Sequence, residues 1–336
     1  MKSLQPARDS RTTSSVRLSV IIVNFETPDY TRRCIESIYR NKPSFSFEII
    51  LIDNGSRDGS FEALRARFPE VAAIETGENL GFARANNLGI NNARGKYVLL
   101  LNSDTKILDD ALERMVADLE ADPAAGAVGP RQLDGRGKLQ LSWGSFPTFV
   151  AEIFRKVLHH RLSLNDFKVR DYLETKFAGK NEVGWVSGSC LMAPKETLVE
   201  AGLLDPHFFM YFEDIDLCER IRRTGKEIHF NSDITIVHYG GVSAKKNLLH
   251  VLVEYRHSQI YFTKKYYGLG GVALLKTLLF AKNSANFVRW GAAFARDKAF
   301  HRNPEKNFAR LLLSKKTIEL IFRSEPRLSG LGVHAR

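Results

Sequence analysis

Several acids and one histidine of this chain stand where an apolar segment stops. Asp104 closes YVLLLNSDT (residues 97–105), in which five apolar residues run uninterrupted into Asn102 and Ser103. Asp53 ends FEIILID and leads into NGSRDG, where glycine and serine let backbone approach a ligand. Glu213, Asp214 and Asp216 follow the aromatic stretch FFMYF, and His238 ends ITIVH, with Gly240 and Gly241 opening space beyond it. A carboxylate just past an apolar strand either holds a hard cation such as Mg²⁺ or Mn²⁺ or caps the next turn. Paired acids behind aromatic walls have their proton affinity tuned for base work. Acids at a helix N-terminus are also favoured by the dipole alone, and D-N-G and D-G sequences form Asx turns. Two acids at two strand ends favour a site over two separate turns.

The elements that position these groups are readable in order. Residues 18–23, 47–52, 71–75 and 97–101 read as strands, the last buried on both faces of a sheet. Between them, Thr27-Pro28-Asp29 offers an N-cap and a proline at N1 for a helix to about Asn41; further helices fall near 61–68 and within 79–93. The alternation predicts an α/β, doubly wound, mostly parallel sheet with right-handed crossovers, whose ligands bind outside the carboxyl ends of the strands. Residues 123–134 contain another strand, and 183–192 (VGWVSGSCLM) read as one strand with Gly188 allowing close approach. Pro194 and Lys195 start a helix that Ala201-Gly202 ends. Ile215, Leu217, Cys218 and Ile221 set another helix, closed by Gly225. Residues 136–181 carry a helical stretch at 150–158 and dense Lys/Arg, and a loop region of this length over an active face commonly holds substrate contacts.

Composition sets bounds. With 44% hydrophobic and 26% charged residues, 336 residues suffice for a large core. Residues 1–16 are polar and read as a disordered tail rather than a signal peptide. Three dispersed cysteines without a CxxC pair argue for a reducing compartment and against zinc. The net charge of +11 is uneven: residues 241–336 carry +13 and the rest −2. A basic nucleic-acid-binding protein is the rival reading, but charge confined to one end, with carboxylates at the sheet edge, fits it poorly. Residues 248–267 form a helix ending in KKYYGLGG, and 272–295 are apolar yet interrupted by Lys276, Lys282 and Arg289. No run reaches the roughly 18 uncharged residues that a spanning helix needs.

SVIIVNF, DNGSRDG, NLGFARANNLGI, LLLNSDT, GWVSGSCLM and FFMYFEDIDLCERIRRTG, in that order, resemble the family 2 glycosyltransferases over about residues 17–243. The resemblance implies a GT-A fold, inversion, a nucleotide-sugar donor and a divalent cation (Mg²⁺ or Mn²⁺). It is nearest to the rhamnosyltransferase-like branch, which acts on lipid-linked saccharide acceptors. It implies Asp214 as general base, with Glu213 orienting it or contacting the acceptor. Asp104 and His238 are implied as metal ligands, Asn102 standing where the family's motif has its first acid. Donor contacts are implied for Asn24, Asp53, Asn79, Gly81, Asn86, Asn102 and Ser103, and acceptor contacts for Trp185 and Gly188. NFVRW (286–290) departs from the QxxRW of processive members, so transfer of a single sugar is expected.

The expected organisation is a tail (1–16), a nucleotide-sugar-binding half (17–135), an acceptor and catalytic half (136–243) and a basic amphipathic helical region (244–336). That last region is expected to hold a cytoplasmic enzyme to the anionic inner face of the cell membrane. The expected reaction adds rhamnose from a dTDP donor in cell-surface polysaccharide synthesis, with a UDP-sugar donor as the alternative and no nucleic-acid partner.

Overall fold

The computed structural model describes residues 16–164, 166–241, 248–300 and 304–322; the tail expected over 1–16 lies outside them except for Val16. Strands β1 (Leu18–Asn24), β2 (Phe47–Asp53), β3 (Ala72–Glu75) and β4 (Tyr97–Asn102) run parallel in the order 3-2-1-4. Helices α1 (Pro28–Arg40), α2 (Ser60–Arg67) and α3 (Gly81–Asn92) join them. Strand β4 is apolar up to Asn102 because both its faces are covered: Leu99 and Leu101 enter one core cluster, Val98 and Leu100 the other. The register sets Asn24 against Asp53 and Val23 against Asn102, so the strands end at one edge. Thr27 does not cap α1 with its side chain; its hydroxyl donates to Asn24 Oδ1 at 3.3 Å.

Beyond β4 the sheet becomes mixed. After it come β5 (Thr105–Ile107), α4 (Ala111–Ala121), β6 (Ala125–Leu133), β7 (Leu139–Gln140) and β8 (Trp143–Gly144). The Lys/Arg-rich stretch beyond β8 contains α5 (Phe149–Ser163), α6 (Phe167–Lys176) and β9 (Lys180–Val183). Then follow β10 (Trp185–Val186), β11 (Cys190–Pro194), α7 (Lys195–Glu200), α8 (Glu213–Arg223) and β12 (Glu227–His238). The sheet continues β4-β11-β6-β12-β5, with β11 antiparallel to both its neighbours and β12 parallel to β6. The single strand expected over 183–192 is therefore three strands. Gly184 breaks it where a Cβ would sit 2.4 Å from the Phe146 nitrogen, and at Gly188 the N–H turns to the Asp214 carboxylate instead of a neighbouring strand.

The C-terminal helices are α9 (Leu248–Ala299), broken at Gly268 (φ 63°, ψ −164°), and α10 (Glu305–Ile321), which packs back on it. The break falls in the GLGG stretch that ends the first helical reading; glycine adopts this φ without the penalty of a Cβ. The first part of α9 is fastened to the body. Phe262, Tyr255 and Tyr266 join an aromatic cluster with Phe208 and Phe212. Lys265 Nζ bridges Asp205 Oδ2 (2.7 Å) and Asp216 Oδ1 (2.6 Å), and Tyr266 donates to Asp216 Oδ1 at 2.8 Å. Among the described residues no helix is long and apolar enough to cross a membrane.

Candidate active site

A cleft of about 270 Å³ opens at the carboxyl ends of β1 and β4. Its lining includes Asn102, Ser103, Asp104 and His238 together with Gly188, Glu213 and Asp214. His238 reaches Asp104 because β12 pairs antiparallel with β5, setting His238 against Thr105. Its Nε2 lies 3.3 Å from Asp104 Oδ1. Gln140 on β7 decides the imidazole tautomer. Its amide nitrogen donates to the His238 carbonyl at 2.8 Å, so the amide oxygen must be the atom that faces His238 Nδ1 at 3.0 Å. Nδ1 therefore carries a proton, and Nε2 is the ring nitrogen turned to Asp104 and, at 3.4 Å, to Asn102 Nδ2. A carboxylate oxygen and an imidazole nitrogen oriented from behind form a donor pair that could hold a divalent cation. A different group, Asp122, Glu227 and His229, also gathers ligand atoms within 4.8 Å, at the opposite end of β12 from the cleft. There Lys180 pairs with Asp122 and Glu227 Oε2 lies 2.8 Å from His229 Nε2.

The acids of α8 are aimed by a strained turn. Tyr211 and Phe212 both hold left-handed backbone (φ 71° and 70°), a conformation that costs about 1–3 kcal/mol per residue and persists only when its surroundings hold it. The aromatic cluster and a 2.7 Å hydrogen bond from Ser258 Oγ of α9 to the Met210 carbonyl hold it. Asp214 then accepts the Gly188 N–H on Oδ2 (2.9 Å) and the Ile215 N–H on Oδ1 (2.8 Å). A Cβ at Gly188 would come within 3.3 Å of both Asp214 Cβ and the Phe82 ring, so glycine admits the carboxylate. Burial raises the proton affinity of Asp214, while the two N–H donors and the positive field of Arg155 on α5 oppose the rise. Burial and the neighbouring Asp214 push Glu213 well above the usual carboxylate range. Glu213 Oε2 has no hydrogen-bond partner among the described residues. The shared negative charge therefore rests on Asp214 and the proton on Glu213. Asp216 is a tether: fully buried, it accepts from Arg220 Nε at 2.8 Å besides Lys265 and Tyr266.

The remaining expected residues divide. Asn79 and Gly81 line the cleft, where Asn79 Oδ1 accepts from the Gly81 N–H and from Asn54 Nδ2, each at 3.0 Å. Gly81 has φ 79°, and a Cβ there would lie 2.5 Å from the Phe209 carbonyl oxygen, to which the Phe82 N–H donates at 2.7 Å. Asn24 and Asp53 sit beneath the cleft, fully buried. Asp53 accepts from Asn24 Nδ2 (2.7 Å) and the Ser56 N–H (2.9 Å), which is the Asx-type turn its sequence also allowed. Asn86 is buried and donates to the Phe82 carbonyl. Trp185 does not reach the cleft either: its indole N–H donates to the Ser145 carbonyl at 3.0 Å, supporting the aromatic loop from behind. Sequence reasoning missed Gln140, Asn54 and Arg155. Asn54, directly after Asp53 in DNGSRDG, was the one with a local signal.

Residues 19–185 match the glycosyl transferase family 2 model. The chain is 25% identical over 275 residues, 78% of its length and 89% of the relative's, to an N-acetylglucosaminyl-diphospho-decaprenol L-rhamnosyltransferase of Mycobacterium tuberculosis. Its fold resembles the mannosyltransferase PcManGT of Pyrobaculum calidifontis, solved with GDP-Man and Mn²⁺, at a TM-score of 0.54 and 18% identity over 93% of this chain and 89% of that one. It also resembles GalNAc-T7, solved with UDP, GalNAc and Mn²⁺, at a TM-score of 0.51 and 17% identity; there it covers 76% of itself and about half, 51%, of the other chain. The protein belongs to the family 2 glycosyltransferases and has their GT-A fold. Within the family its similarity runs to the rhamnosyltransferase side.

Proposed function

We propose that the protein is an inverting, cation-assisted transferase that adds one sugar, rhamnose from a dTDP donor, to a lipid-linked saccharide at the inner face of an anionic membrane. The observation that carries this reading is that one cleft is lined both by a backbone-anchored carboxylate, Asp214, and by the Asp104–His238 pair. Asp214, kept ionised by its two N–H donors, accepts the proton of the acceptor hydroxyl as that oxygen attacks the anomeric carbon. A positioned base of this kind contributes roughly 10²–10⁴-fold. One base on one side of the sugar gives inversion. Glu213, holding its own proton, keeps a second negative charge away from the attacking oxygen. Asp104 and His238 would hold a divalent cation, which would supply charge stabilisation to the nucleoside diphosphate leaving group.

The M. tuberculosis relative, whose name specifies rhamnose and a diphospho-decaprenol acceptor, supports the substrate class. Membrane placement draws on the surface. Among the described residues, every exposed large apolar side chain except Val199 lies within residues 154–172 or 269–322, on α5–α6 or the C-terminal helices. The test offers dTDP-rhamnose, UDP-sugars and GDP-mannose in turn with GlcNAc-diphospho-decaprenol and Mn²⁺, and reads the product's linkage by NMR. Rhamnose transfer with inversion is expected. Transfer from a UDP-sugar alone would make the UDP reading the better one, and no transfer from any donor would sink the acceptor class.

A further inference from the structure

A second cavity, also of about 270 Å³, shares the strained turn with the cleft: Phe212 lines it, while Tyr211, Glu213 and Asp214 line the cleft. Its apolar part comes from Phe212, Phe262, Leu275 and Leu279, all buried, and from Leu278, which is 53% exposed. Around these stand three cations: Lys156 of α5, and Arg256 and Lys282 from either side of the Gly268 break in α9. Lys156 pairs with Glu152 at 3.2 Å, but Glu152 is already engaged by Arg155 at 2.8 Å. Arg256 donates to Gln259 Oε1 at 2.6 Å and lies over the Tyr255 ring. Among the described residues no carboxylate is within ion-pair distance of Arg256 or Lys282. Burial, then the charges of Arg256 and Lys156, pull the proton affinity of Lys282 down, so these cations crowd one another. Glu152 is the one carboxylate on the lining, so three cations face a single acid that Arg155 already holds, an excess of charge over apolar side chains that is costly unless a ligand brings more negative charge.

Resting on the transferase reading above, we infer that this cavity holds the acceptor's lipid diphosphate, with Lys156, Arg256 and Lys282 around the phosphates and Leu275, Leu278 and Leu279 against the first isoprenoid units. A polyprenyl diphosphate matches both halves of the cavity, the cationic and the apolar. A phospholipid headgroup would use the charge, but nothing in its role calls for a position beside the base. The acceptor sugar must have its hydroxyl at Asp214 and its diphosphate one sugar away, and Phe212, lining this cavity, is two residues from Asp214. Leu278 opens the apolar wall towards the exposed side chains of α9, giving the rest of the lipid a route to the bilayer.

The experiment measures binding of farnesyl diphosphate to the full chain in detergent by calorimetry, beside farnesol, inorganic pyrophosphate and phosphatidylglycerol vesicles as competitor. The wild type should bind farnesyl diphosphate at least tenfold more tightly than farnesol or pyrophosphate. An Arg256→Gln/Lys282→Gln double variant should lose at least tenfold of that affinity, raise KM for the lipid acceptor and keep its affinity for dTDP with Mn²⁺. Lys282→Arg, which keeps the charge, should retain binding and shows that side-chain replacement here is tolerated. Unchanged affinity in the double variant, or displacement of farnesyl diphosphate by phosphatidylglycerol as effectively as by unlabelled ligand, would overturn the assignment. A wild type that binds farnesyl diphosphate but transfers no sugar counts against the transferase reading alone. Normal transfer by the double variant counts against this subsite alone.

Discussion

Asp214 and Glu213 are neighbours in sequence with opposite duties, and the backbone assigns them. Two N–H groups favour charge on Asp214, while Glu213 has an oxygen without a partner among the described residues. Asp214→Asn should keep dTDP binding and lose at least about 10²-fold in kcat/KM, since the amide cannot take a proton; near wild-type turnover would remove Asp214 from the base role. Because burial raises Asp214, wild-type kcat/KM should climb with pH through a point above the ordinary aspartate value of about 3.9. The raised Glu213 has the opposite consequence for stability. A fold that prefers the protonated acid has that stabilisation in full below the unfolded value and loses it as pH rises through the folded value. Glu213→Gln should therefore melt higher than wild type at alkaline pH and alike below about pH 4, the ordinary glutamate range. A gap in Tm that ignores pH would refute the buried-proton account. Gln140→Leu frees the His238 ring and should weaken Mn²⁺ binding by about 10–100-fold, measured by titration of the metal into the dTDP complex; unaltered affinity would mean that the tautomer is set elsewhere.

At the scale of elements, the catalytic helix is held from outside the sheet. Lys265 of α9 supplies one nitrogen to two acids, Asp205 ahead of the strained turn and Asp216 inside α8. Lys265→Met leaves the fully buried Asp216 with Arg220 and Tyr266 only, and should cost roughly 3 kcal/mol, the low end for a buried charge that loses a partner. A loosened turn should also lower kcat more than donor affinity; a variant equal to wild type in both Tm and kcat would show that α9 does not brace the site. This bracing could not be read from the sequence, whereas much of the sheet could. YVLLLNSD and FEDIDLCERI place Asp104 and Asp214 because apolar run, helix spacing and acid lie within one local window. Residues 183–192 read as one strand because apolar residues stand at both ends of the stretch, but the Gly188 N–H goes to a carboxylate 26 residues on. Gln140 and His238 are 98 residues apart, and no local pattern announces such a pair. Trp185, expected as an acceptor contact, donates its indole N–H to a loop 40 residues earlier, a partner that no local pattern shows.

Over the whole molecule, two features that sequence separates lie in the same two stretches: exposed apolar side chains and excess positive charge. Residues 241–336 carry +13, and Leu269 (76% exposed) and Val288 (71%) stand out on α9, with Phe154 and Phe167 on α5 and α6. Anionic lipid attracts each nearby basic residue by about 1 kcal/mol within a Debye length, and apolar side chains sunk to headgroup depth add burial. Neither term needs a spanning helix. A soluble protein whose helices only pack on the sheet would have solvated lysines but little reason to leave so many large apolar groups in water together. Flotation with liposomes separates these cases. The full chain should float with phosphatidylglycerol vesicles, remain at the bottom with neutral ones, and be released by high salt. Leu269→Ser/Val288→Ser/Phe167→Ser should weaken flotation while leaving dTDP affinity intact, because none of the three lines the cleft. Full-length protein that never floats, or a triple variant that floats as well as wild type, would take the membrane out of the account and leave the acceptor to be delivered in another way.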